Sequence, residues 1–243
     1  MNTPEVLSLG EVAVMLGWTP RVVERLAAGG QLPATEIAGQ WQFRREELID
    51  WLDRKIQTLD VAQVADLEHK FESELQAAAR RIRIAERLSP DLVRLDVQAP
   101  GRLEVLKELV ATASRSGLVV DTAPLVASLG ERETLCSTAL PGGVAICHPR
   151  RPSPHLVRRT VLAAIKTITP VAFGAEDGEP TRLFFLIAAL DDRAHLYALA
   201  RLTRILHGGT LRTLLDASTE EAFIDAIRRR ETEIDLSASA VTS

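Results

Sequence analysis

Apolar residues fall into three successive stretches along the chain, and the pattern in each predicts a different kind of unit. In the first stretch, Leu9, Val12, Ala13 and Leu16 stand at helical intervals behind Ser8, with Glu11 placed to complete a capping box. Gly17-Trp18-Thr19-Pro20 breaks that helix, and Thr19 before Pro20 reads as a cap followed by proline at the first helical position. The next helix, Arg21 to Ala28, stops at Gly29-Gly30. After Leu32-Pro33, the alternating run ATEIAGQWQF predicts a hairpin that turns at Gly39. A third helix, Arg44 to Lys55, brings Leu48, Trp51 and Leu52 to one face.

In the second stretch, residues 58–88, Val64, Leu67, Phe71, Leu75, Ala78, Ile82 and Ala85 step by three or four without proline or glycine. That predicts an amphipathic helix whose narrow stripe suits a coiled-coil seam or packs on a flanking domain of its own chain. A dimerising linker is the expectation, with Arg80, Arg81, Arg83 and Arg87 on its solvated face.

The third stretch, from Ser89-Pro90 onward, alternates apolar strands with helices. Strands are expected at Gly143–Cys147, Val161–Ile168 and Leu183–Ala189, and helices at Arg102–Ala113, Ala123–Ser128, Ala194–Leu206 and Glu220–Arg230. This order suggests an α/β sandwich with helices on both faces of a sheet. The expected organisation is a head over 1–57, a linker helix over 58–88, an α/β domain over 89–233 and a disordered tail over 234–243, ending LSASAVTS.

Composition narrows the partners. With 46% hydrophobic residues in 243, the chain can build a substantial core. Its net charge of −4 gives no basic excess, so nucleic-acid binding has to come from a local surface. The head holds six Lys/Arg against eight Asp/Glu. Two cysteines do not make a disulfide framework. The start MNTPEVLSLGEV lacks the pattern of a signal peptide, and no apolar run approaches a membrane span, so a cytoplasmic protein is expected. Cys136, Cys147, His148 and His155 match no structural-zinc spacing, and no metal or cofactor is expected.

The segment ERETLCSTALPGGVAICHPR, Glu131 to Arg150, carries the candidate chemistry. Its apolar strand Val144–Cys147 runs directly into His148, and Pro149 biases that histidine toward extended geometry at a strand end. An imidazole is a plausible nucleophile for phosphoryl transfer near neutral pH, because its neutral form is well populated there. Arg132 and Arg150 flank it, and guanidinium groups suit phosphate oxygens.

These residues resemble the active-site region of phosphotransferase-system enzyme IIA type 2 domains, the fructose, mannitol and nitrogen-regulatory class. The matching positions are Arg132-Glu133, Ser137-Thr138 and the run Ile146-Cys147-His148-Pro149-Arg150. A second block, FFLIAALDDRAHLYALARLTRIL, resembles the family's strand, loop and helix carrying a second active-site histidine, here His195. The resemblance covers about residues 88–232 and implies a mixed sheet flanked by helices. It also implies that His148 is the phosphoacceptor, supplied by the phosphocarrier HPr. His195 and Arg132 would assist, and Ser137, Thr138 and Arg150 would support the phosphate. Two positions depart from the family pattern: Cys147 replaces its proline, and Pro149 its glycine, removing an N–H and a freely turning backbone.

The head is similar to the excisionase/MerR-type winged helix-turn-helix family over LSLGEVAVMLGWTPRVVERLAAGGQLPATEIAGQWQFRREELIDWL. That similarity implies DNA binding by a recognition helix beginning with Arg21 to Arg25, a wing at Ala38 to Trp41, and Arg44 and Arg45 near the phosphate backbone. The expected function is a regulator: a DNA-binding head on a homodimerising linker, coupled to a phosphorylatable domain that accepts phosphate rather than turning over a substrate. The alternatives are a phosphocarrier that passes phosphate onward, and a protein-binding module that is never phosphorylated.

Overall fold

A computed structural model of the chain describes residues 5–74 and 83–241. The chain divides into two compact units, residues 1–81 with 199–204 and residues 82–198 with 205–243. Among the described residues no helix is long and apolar enough to cross a membrane.

The first unit opens with β1 (Val6–Ser8), α1 (Leu9–Leu16), α2 (Pro20–Ala28), the hairpin β2 (Thr35–Ile37) and β3 (Gln40–Arg44), and α3 (Arg45–Thr58). The capping box forms as its spacing predicts: Glu11 N donates to the Ser8 hydroxyl at 3.3 Å, and the Glu11 carboxylate accepts from Ser8 N at 2.7 Å. Thr19 takes the cap position that the sequence predicts, in extended geometry, but its side chain makes no capping bond, so Pro20 alone marks the start of α2. The hairpin turns through Ala38 and Gly39, both in the left-handed region at φ 51° and 76°, as a tight primed turn requires. Strand β1 has no counterpart in the sequence reading, since three residues cannot show a period. It pairs antiparallel with β3, Leu7 opposite Phe43, giving the order β1-β3-β2. Val12, Leu16, Val23, Phe43, Leu48, Leu52 and Ile56 close the core.

The helix expected over 58–88 starts a few residues later, and its last expected residues, Ala85–Arg87, form a 3-10 turn instead. Leu59 is extended, and Asp60 starts a new helix, α4 (Val61–Glu74), through reciprocal bonds with Gln63. Helix α4 packs on α1. Val64 and Leu67 are thereby buried within the unit, so the described part of the stripe already has an intramolecular partner. Leu75, Ala78, Ile82, Arg80 and Arg81 lie outside the described residues.

The second unit is built on a mixed sheet of β4 (Val93–Val97), β5 (Ala139–Leu140), β6 (Val144–Cys147), β7 (Val161–Val171) and β8 (Thr181–Ala188), in the order β4-β7-β8-β6-β5. The β4–β7 and β6–β8 pairs are parallel; β7–β8 and β5–β6 are antiparallel. Among the described residues the accompanying helices are α5 (Arg102–Ser114), α6 (Thr122–Leu135), α7 (Asp192–Leu206, of which 199–204 belong to the first unit), α8 (Thr210–Asp216) and α9 (Glu220–Val241). Alternate residues of the central strands serve opposite faces. Ala163, Ile165, Phe184 and Leu186 join α5 and α6 in one core, while Phe185, pointing the other way, stacks on Phe223 of α9 at 5.9 Å. Burial on both faces is why these strands read as unbroken apolar runs.

Two helices exceed their expected lengths. Helix α6 continues past Ser128 through Gly130 to Leu135, which places Arg132 in its last turn. Helix α9 runs through Val241, across most of the tail expected to be disordered. Its extension is held by long-range contacts: Glu231, fully buried, accepts from Ile84 N and Ala85 N at 2.9 Å each, and Asp235 pairs with Arg83 at 3.0 Å. Composition near the C-terminus carries no trace of such partners.

Candidate functional site

Strands β6 and β8 run parallel with Cys147 opposite Leu186, so both finish at the same end of the sheet. His148 is the first residue beyond β6. Beyond β8, Asp191 caps α7, accepting from Ala194 N at 2.9 Å, and His195 N donates to the Asp191 carbonyl at 3.0 Å. This arrangement brings two histidines 47 positions apart in sequence into ring contact, with centroids 4.6 Å apart and planes tilted by 42°. Each is only 1% exposed. The Nδ1 of His148 lies 3.3 Å from the Pro149 carbonyl oxygen. A carbonyl can only accept, so that contact favours the tautomer with hydrogen on Nδ1 and the lone pair on Nε2.

The α6–β5 junction supports this end of the sheet. Arg132, 2% exposed, donates from Nη1 to the Cys136 carbonyl at 2.9 Å and so caps the C-terminus of its own helix. Glu133 accepts from both the backbone N–H and the hydroxyl of Thr138, at 3.1 and 2.7 Å. Burial pushes the Glu133 carboxyl above its ordinary range, against the opposing pull of the Thr138 bonds. The Ser137 hydroxyl donates to the Phe173 carbonyl at 2.6 Å and accepts from Ala139 N at 3.1 Å. The hydrogens of Ser137 and Thr138 are thus both given to partners other than the imidazoles. Sequence reasoning quoted Glu133 as part of a motif without giving it a role; here it holds Thr138 in place.

Cys147 is sealed in the core, and burial, with the Glu133 carboxylate second, pushes its thiol far above the usual range. Arg150 follows His148 by two residues and is half-buried. Of the sequence-chosen residues, the structure therefore joins His148 directly to His195, fixes Arg132, Ser137 and Thr138 at the adjoining junction, and puts Arg150 in the loop after the strand.

In the head, Arg21 and Arg25 are exposed one turn apart on α2, with Glu24, also exposed, between them. Arg44 forms an exposed pair with Glu47 at 3.6 Å, an interaction worth little in water. Arg45 begins α3, its N–H donating to the Glu5 carbonyl at 2.9 Å.

Residues 86–230 match the family described as phosphoenolpyruvate-dependent sugar phosphotransferase system, EIIA 2, and residues 6–55 match a helix-turn-helix domain. The chain is similar to the fructose-specific EIIABC component of Bacillus subtilis, 29% identical over 153 residues; this covers 62% of the chain but 24% of that larger protein. It is also similar to a nitrogen regulatory protein of Klebsiella oxytoca, 26% identical over 60% of this chain and 90% of that one. Among solved structures, nitrogen regulatory protein IIA-Ntr of Neisseria meningitidis superimposes with a TM-score of 0.54 at 28% identity, over 59% of this chain and 98% of that one.

Proposed function

Because the chain belongs to the EIIA 2 family of the phosphoenolpyruvate-dependent sugar phosphotransferase system, with a helix-turn-helix domain ahead of that region, we propose that it is a phosphotransferase-linked regulator whose His148 accepts a phosphoryl group and whose head binds DNA. The observation that carries this reading is the His148–His195 ring pair at the common end of β6 and β8.

The geometry supports the following transfer. The Nε2 lone pair of His148 attacks the phosphorus of a phosphohistidine on an HPr-like donor; the new N–P bond forms as the donor's N–P bond breaks, and the bonding pair returns to the donor imidazole. The hydrogen on His148 Nδ1 stays where the Pro149 carbonyl holds it. The adjacent His195 supplies an N–H for a phosphoryl oxygen, and Arg132 offsets the added charge. Pro149 has no N–H to offer, so this site does without the backbone donor that the family's glycine provides. Phosphorylation adds about −1.5 to −2 charges at pH 7, enough to alter how a domain docks on a partner or on DNA.

Two other readings predict different behaviour. A phosphocarrier would pass its phosphoryl group onward with no change at DNA. A module that is never phosphorylated is favoured by Cys147 and Pro149. The test is DNA affinity, by fluorescence anisotropy on duplexes selected from a random pool, before and after incubation with phosphoenolpyruvate, enzyme I and HPr. A several-fold change in the wild type and none in His148→Ala is expected. Equal affinities in both states, with phosphate shown to be incorporated, would replace regulation with phosphate relay.

A further inference from the structure

Between Glu133 and Glu176 the chain has no acidic residue, yet this segment holds Arg150, Arg151, Arg158, Arg159 and Lys166. Lys166 serves the fold, since it is buried and its Nζ donates to the carbonyls of Leu215 and Ala217 at the end of α8. The four arginines have no comparable location in the core. They sit in the connection from His148 to β7, where Arg151, Arg158 and Arg159 are exposed.

This connection is stitched to the α5–α6 loop. Arg158 N donates to the Leu118 carbonyl at 2.8 Å, Val120 N donates to the Leu156 carbonyl at 2.9 Å, and Val119 bridges Val157. Ser153 N donates to the Ala189 carbonyl at 3.2 Å, anchoring its middle. The second segment adds Arg115, also exposed. Together the two segments carry five arginines against one acid, Asp121, whose carboxylate caps α6 through Ala123 N at 3.0 Å. Among the described residues, Arg115, Arg158 and Arg159 form no ion pair.

A concentration of guanidinium groups on a braced backbone, in a chain of net charge −4, suits a polyanion presenting phosphates. We infer that this two-segment ribbon of the second unit, residues 115–121 and 150–159, is a surface for the phosphate backbone of DNA, separate from the helix-turn-helix. Nucleic acid is favoured over an acidic polypeptide because the head, with six basic against eight acidic residues, is a poor source of the phosphate contacts its fold implies. The inference rests on the reading of the chain as a DNA-binding protein, and not on phosphorylation at His148.

The test uses the full chain and a short non-specific duplex, with affinity measured by anisotropy as salt is raised. Each phosphate contact contributes about 0.9 to the slope of log affinity against log salt. Arg158→Gln with Arg159→Gln is expected to lower the slope by roughly 2, and the corresponding lysine pair to retain it. Arg21→Ala with Arg25→Ala in the head is expected to lower it separately and additively. Loss in the head variant alone would overturn the ribbon while leaving the proposed function intact. Loss in the ribbon variants alone would keep the ribbon and remove the head from DNA. A wild type that ignores DNA but binds polyglutamate would overturn the inference in favour of an acidic protein partner.

Discussion

Cys147 and His148 are neighbours with opposite environments. The thiol faces the core formed with α5 and α6, and the imidazole meets His195 at the end of the strand. Alternation along a strand makes this possible, and the sequence showed it as an apolar run ending on a histidine. In the native protein Cys136, which is exposed, is expected to react rapidly with an alkylating reagent, and Cys147 only on unfolding. Equal rates by mass spectrometry would contradict the burial of β6. Glu133 gives a second test. Its raised folded-state value means that the unfolded chain loses this proton first, so the stabilisation from the neutral form is complete below the ordinary value of 4.5 and is lost as pH rises through the elevated one. Denaturant unfolding followed by far-UV circular dichroism should therefore show wild type declining relative to Glu133→Gln as pH rises from that point. A difference that is flat or grows with pH would contradict the assignment. The pairing of His148 with His195 was legible only through family resemblance, since nothing in local spacing reports a contact across 47 positions.

At the scale of elements, legibility followed length and local chemistry. Strands β6, β7 and β8 were visible because burial on both faces leaves an unbroken apolar run, and α1 because its capping box is a local code. Strands β1 and β5, with three and two residues, exist through their partners and left no period to read. Strand β4 carries a register irregularity between Arg94 and Val97, with Asp96 at φ 60°, which spoils its alternation. The boundary between α3 and α4 was read a few residues early, at Lys55 instead of Leu59-Asp60, because α3 runs on to Thr58 and the apolar stripe starts only at Val64, leaving no periodic signal between them. Ser8→Ala removes the cap of α1 and is expected to cost about 1 kcal/mol. All three tryptophans, Trp18, Trp41 and Trp51, lie in the first unit, so their fluorescence reports its unfolding selectively. An unchanged denaturation midpoint would show that the reciprocal Ser8–Glu11 bonds contribute nothing to that unit.

On the scale of the whole molecule, the chain joins a helix-turn-helix region to an EIIA 2 region, and both were readable in order from motifs and periodicity. The mixed topology of the sheet came from the resemblance, because pairing between β4 and β7 or β6 and β8 depends on long-range register. The dimer expected from the linker is a further proposal: α4 packs on α1 with its Val64 and Leu67 buried, so a second copy would engage surfaces other than these two residues. Sedimentation of the full chain at rising concentration is expected to show a dimer, and a monomer throughout would remove that element of the regulator.

The central claim is that His148 is a working phosphoacceptor despite Cys147 and Pro149 beside it. Intact mass after incubation with phosphoenolpyruvate, enzyme I and HPr tests it most directly, with His148→Ala and a native IIA protein run alongside. One phosphoryl group on the wild type, absent from the variant and lost on acid treatment as a phosphoramidate is, would bear the account out. No uptake by the wild type, while the native IIA protein is phosphorylated in the same mixture, would contradict it and leave a fold that has kept the histidine pair without the transfer.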